Sequence, residues 1–82
     1  MRKADYLLLA RLFKASRTFS IDCENYHNEK FAVATGKDAE RHHTQSKYYS
    51  GRLACINDLA RSFASGASVT PVEFLRECGM TL

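Results

Sequence analysis

Apolar residues recur at helical spacing in the first segment of the chain. From Lys3 to Ser16, Tyr6, Leu8, Leu9, Leu12 and Phe13 fall on one side of a 3.6-residue wheel, and Lys3, Arg11, Lys14 and Arg17 fall on the other. This pattern predicts an amphipathic helix with two misfits: Leu7 sits among the bases and Asp5 points with the leucines. Between Thr18 and Gly36, the apolar residues Ile21, Cys23, Tyr26, Phe31 and Val33 follow no single period. A loop followed by a short helix, or an irregular excursion, is expected there, with Gly36 as its stop. A long helical pattern then runs from Asp38 to about Ala64. Its front, DAERHHTQSK, has little to bury. Its rear carries Tyr49, Leu53, Ile56, Ala60 and Phe63 at three-four spacing, with Cys55 and Leu59 alongside. Gly51 lies inside it, at a cost of about 0.5–1 kcal/mol relative to Ala, which points to a close approach by another backbone.

Gly66 reads as the stop of that helix. Thr70 then stands as an N-cap, Pro71 as the first helical residue, Glu73 as the third residue of a capping box and Gly79 as the C-terminal stop. A helix of about two turns does not form alone, so it has to dock on the longer ones. Together these elements predict an all-α fold over residues 1–82: a small bundle of three to four helices with 38–64 as the long central helix. The first helix packs antiparallel or crossed against its rear half, and a short C-terminal helix, 71–78, caps one end. The expected core is Leu8, Leu9, Leu12, Phe13, Leu53, Ile56, Leu59, Phe63, Phe74 and Leu75.

Length limits the choices further. Eighty-two residues hold one small core, too little for a TIM barrel or a full Rossmann domain. With 45% hydrophobic and 26% charged residues, the chain has a globular composition. No apolar run approaches the roughly 20 residues of a membrane span, and the first apolar stretch is interrupted by Arg11 and Lys14, unlike a secretory signal. Cys23, Cys55 and Cys78 are odd in number and widely spaced, which predicts free, buried thiols in a reduced, cytoplasmic compartment. A core this small is marginal alone, and a homodimer is the simplest further source of stability. Leu7 and the Tyr48–Tyr49 pair are expected at or near the subunit contact.

Several residue groups invite chemistry. Cys23, His27, His42 and His43 have a loosely zinc-like spacing, but His42 and His43 lie about 100° apart on a helix and share one ion poorly; two solvated histidines are the simpler reading. Catalytic grammar is missing: there is no G-x-S-x-G and no phosphate-cradling glycine loop. We therefore assign no catalytic residue, no metal ligand and no cofactor, and expect a protein that is not an enzyme. Nucleic-acid binding has more support. Residues 1–17 hold five bases and one acid, and Lys37, Arg41, Lys47 and Arg52 are interleaved with His42, His43 and Tyr48. Against it stand a net charge of only +3 and a would-be recognition helix, TPVEFLREC, whose one base, Arg76, is outnumbered by Glu73 and Glu77. Arg52, on the apolar side of its helix, is expected to pair with the equally misplaced Asp5. Surplus aromatic and basic residues favour a protein partner, for which the expected contacts are Leu7, Arg11, Lys14, Arg41, His43, Lys47, Tyr48 and Tyr49.

The opening MRKADYLLLARLFKAS, the later GRLACINDLARSFA and the ending VTPVEFLRECGM together resemble small helical accessory proteins of tailed phages and prophages. Phe74, Leu75, Cys78 and Gly79 match the usual ending of that class, while SVTPVE replaces its more common turn and residues 18–46 lie outside the likeness. The resemblance implies a non-enzymatic binder in the host cytoplasm that redirects or blocks a host macromolecule, a protein before a nucleic acid, defence systems included. It carries over no functional residue, because the shared positions are packing and capping positions.

Overall fold

The computed structural model describes residues 2–66 and 70–80. Helix α1 (Lys3–Val33) and helix α2 (Gly36–Gly66), each of 31 residues, fold back on one another through Ala34 and Thr35. Helix α3 (Pro71–Glu77) packs on both of them at their open end. The result is an all-α hairpin with a short third helix, 51 Å long and only 20 by 15 Å across. Phe13 meets Phe63, Arg17 meets Asn57 and His27 meets His42, so the first half of α1 runs against the rear half of α2 as expected.

The caps follow the sequence closely. The Asp5 carboxylate accepts the Arg2 backbone N–H at 3.1 Å and places negative charge in the first turn of α1. Gly36 takes φ +61°, the left-handed backbone that reverses the chain between the long helices; it opens α2 as well as closing the turn. Thr70 Oγ1 accepts the Glu73 N–H with Pro71 at the first position of α3. At the far end Gly79 (φ +80°) and Met80 donate to the carbonyls of Arg76 and Leu75, a Schellman closure whose apolar contact is Met80 with Leu75.

Four expectations are corrected. Residues 18–33 are neither loop nor excursion: α1 continues through them without a break. No Gly or Pro precedes Gly36, so nothing stops the helix. The period is hidden because the inward positions are small or polar: Ser16, Ser20, Cys23, Glu24 and His27 are all buried or half-buried. Ser20 lies fully inside and returns its hydroxyl to the Ser16 carbonyl at 3.0 Å.

The expected core is also rotated. It is built from Ala10, Ala60, Ala64, Phe74, Leu75, Cys78 and Met80, with Tyr6, Leu7 and Phe13 packed against it. Ile56, Phe74 and Leu75 are buried as expected, and Leu9, Phe13 and Leu53 are half-buried. Leu8 (58% exposed), Leu12 (61%) and Leu59 (48%) instead face outward, and Phe63 is largely open as well. Alanine at the centre of the contact lets the helices come close, and a wheel weighted by hydrophobicity gives such positions little credit. Gly51 marks no close approach, since a Cβ there would meet nothing within 4 Å. All three cysteines are free, but Cys55 is exposed rather than buried.

Candidate functional site

The basic face of α1 is the strip on which α3 docks. Lys3 pairs with Glu73 at 3.3 Å and Arg11 approaches Glu77 at 4.0 Å. The Lys14 stem lies against Gly79, where a Cβ would come within 3.2 Å of its Cγ. Arg17 joins all three helices: its Nε donates to Asn57 Oδ1 at 2.7 Å, and its Nη1 donates to the carbonyls of Gly79 at 2.8 Å and Cys78 at 3.4 Å. A guanidinium at the C-terminal end of α3 meets carbonyls that the helix cannot satisfy itself. Tyr6 does the same for α2, donating its hydroxyl to the Gly66 carbonyl at 2.9 Å. Burial pushes the Cys78 thiol above its ordinary range, with Arg17 opposing and Glu77 reinforcing the shift. Of the eight residues expected to contact a partner, Leu7, Arg11 and Lys14 thus lie on the α3 side, and Leu7 turns towards the core.

Asp5 and Arg52 do not meet. Asp5 sits in the first turn of α1, whereas Arg52 reaches the middle of that helix. Arg52 donates to Ser16 Oγ at 3.3 Å and lays its guanidinium 5.1 Å from the centre of the Phe19 ring. An aromatic face and a hydroxyl replace the carboxylate as its partners.

Towards the turn, the interface between α1 and α2 is polar and aromatic. His27 Nδ1 and His42 Nδ1 stand 2.9 Å apart, so one ring donates and the other accepts. Tyr49 stacks on His27 at 5.9 Å and 9°, and Tyr26 meets the His27 ring edge-on at 5.0 Å. Partial burial raises the Tyr49 hydroxyl above its ordinary value, and the Cys23 thiol beside it acts in the same direction. Ser46 is buried and donates to Asn28 Oδ1. Tyr49 is therefore part of the helix contact and less available to a partner than Tyr48, which is 60% exposed. Among the described residues no group of three or more His, Cys, Asp or Glu is arranged to hold a metal ion. The sequence groups Cys23, His27, His42 and His43, but of the two histidines expected to be solvated only His43 is exposed; His42 is half-buried against His27.

The tip of the hairpin is where apolar and basic side chains gather in the open. Phe31 (43% exposed) has the His43 ring tilted against it at 5.1 Å and 39°, Val33 is 81% exposed two residues on, and Lys30, Lys37, Arg41 and Lys47 are exposed on the same two helices. Glu29, Asp38 and Glu40 are interspersed, so the tip is mixed in charge rather than strongly positive. A helix-turn-helix would take INDLARSFA as its first helix and TPVEFLREC as its second, and residues 67–69 of its connection SGASV lie outside the described residues. No described helix is long and apolar enough to cross a membrane. Comparison with protein-family models, with curated proteins and with solved structures finds no match.

Proposed function

We propose that the chain is a non-enzymatic accessory protein, of the kind the tailed-phage likeness implies, that binds a host protein and inhibits it, with a defence system as one class of target. The observation that carries this reading is the tip of the hairpin. Phe31 and Val33 are exposed beside the turn and lie outside the core, with the His43 ring tilted against Phe31. An apolar anchor inside a polar, charged rim is the usual build of a protein-recognition surface. Two rigid helices joined by a two-residue turn present it without a flexible loop to order on binding.

Nucleic acid is the competing partner. Its case rested on the basic face of α1, but Lys3 and Arg11 are drawn to Glu73 and Glu77, and Arg17 is committed to carbonyls and Asn57. The remaining bases at the tip are balanced by acids. The test is capture from nuclease-treated lysate at 50 and 200 mM salt. A protein held by the wild type at both salts and lost on Phe31→Ala is the expected result. Capture of nucleic acid alone, weakening steeply with salt and lost on Arg41→Ala, defeats the reading.

A further inference from the structure

One side of the hairpin carries most of its exposed large apolar side chains, with charged residues towards its two ends. On α1 it is formed by Leu8, Leu12, Phe19 and Tyr26, spaced four, seven and seven residues apart. On α2 it is formed by Tyr48, Leu59 and Phe63, with Cys55 between them. Contacts place the two stripes together. Arg52 of α2 reaches over Phe19, and Phe63 lies 5.8 Å from Phe13. They also place the side opposite α3, which grips α1 through Lys3, Tyr6, Lys14 and Arg17, nearly half a turn of the wheel away from Leu8, Leu12 and Phe19. Spacings of four and seven keep a residue on one stripe of a helix, and two such stripes side by side make half of the seam of a four-helix bundle.

We propose that this face is closed by a second copy of the chain, turned end for end, so that the two hairpins form a four-helix bundle with their turns at opposite ends and α3 outside on each. Area supports a partner of this size. Large side chains bury roughly 150–250 Å² each when covered, and those on this face are about half open, so seven of them offer roughly 700 Å² per copy. A standard interface buries roughly 600–1,000 Å² per partner, a range this face reaches when it is covered along its whole length.

Charge chooses the second copy and its direction. Asp5 lies on this face near the open end; Lys30, beside Tyr26, and Arg41 lie on it near the turn. Packing like ends together would set Lys30 of one copy beside Arg41 of the other. Opposed ends remove that repulsion, which Asp38, 4.0 Å from Arg41, offsets only in part; they bring the two Arg52 side chains near the axis, each laid over its own Phe19 ring. A two-fold axis through the middle of α1 (Lys3–Val33) brings Lys30 of one copy level with Asp5 of the other to within about one residue, or ~1.5 Å of rise. The same operation lays the leucines at the open end on Tyr26 and Tyr48 of the second copy. Lys30 and Arg41 border both surfaces, but Phe31 and His43 stay outside this contact, so Phe31→Ala tests the tip alone and Leu12→Asp the dimer alone.

Light scattering and analytical ultracentrifugation in the high micromolar range test the assembly. The wild type is expected at twice the chain mass, and Leu12→Asp and Leu59→Asp each at the chain mass. A monomeric wild type, or a dimer that survives both substitutions, overturns the proposal. Should either variant lose its helix, the wild type decides. A melting temperature that rises with protein concentration upholds the dimer, and one independent of concentration overturns it. Orientation is tested by charge exchange. Lys30→Glu is expected to weaken association severalfold and Asp5→Lys to restore it in the double variant; no restoration overturns the opposed arrangement.

Discussion

The two ends of the hairpin are held by different physics. At the open end, Phe74, Leu75, Cys78 and Met80 are pressed onto Ala10, Ala60 and Ala64, and Phe13 and Tyr6 meet Phe74 edge-on. Towards the turn the helices meet through Ser20, Ser46, Asn28 and the His27–His42 pair. The first contact is apolar, sealed by a third helix and worth several kcal/mol per large side chain. The second is a row of hydrogen bonds, each with a net worth of about 1 kcal/mol and a larger cost when one partner is lost. The hairpin therefore owes its stability to one end and its alignment to the other.

Breaking the open end has the largest expected effect. Phe74→Ala removes the largest fully buried side chain and is expected to cost about 3–5 kcal/mol by urea denaturation, with α3 released first. At the polar half, Asn28→Ala leaves the buried Ser46 hydroxyl without its partner. The expected loss is about 1 kcal/mol, because the hydroxyl can turn to its own helix carbonyl. A loss as large as that of Phe74→Ala would show that the two ends do not differ as described. The smallest effect is a pH dependence of the open end. The folded Cys78 thiol is held above its ordinary value, so the unfolded chain ionises first as pH rises. Stability from this group is full below the unfolded thiol's pKa of about 8.5 and is lost as pH climbs through the folded value. Urea titrations from pH 7 to about 10 are expected to show a decline that is shallower in Cys78→Ala; parallel curves would count against it.

The same contrast explains what the sequence made legible. Helices α2 and α3 announce themselves through apolar spacing and through Thr70, Pro71, Gly66 and Gly79. The second half of α1 does not, because Ser16, Ser20 and His27 carry the contact that leucines carry elsewhere. Leu8 and Leu12 look like core on a wheel weighted by hydrophobicity, but the inward position between them belongs to Ala10. The bases of α1 were visible as a stripe, but their partners, Glu73 and Glu77, are some seventy residues away in the chain. Tertiary pairing of that kind leaves no local pattern.

The division between the ends also sets the order in which the chain can fold. The contacts nearest the turn span short loops, fifteen residues between His27 and His42, yet they are the weak ones. Phe13 and Phe63 are fifty residues apart. Closing that longer loop costs only about 1 kcal/mol more, since the penalty grows with the logarithm of length. A single aromatic contact with its buried surface outweighs that difference. Zipping outward from Gly36 is therefore the poorer route, and the expected order is collapse where the ends of the hairpin meet, then docking of α3, with the polar contacts beside the turn last.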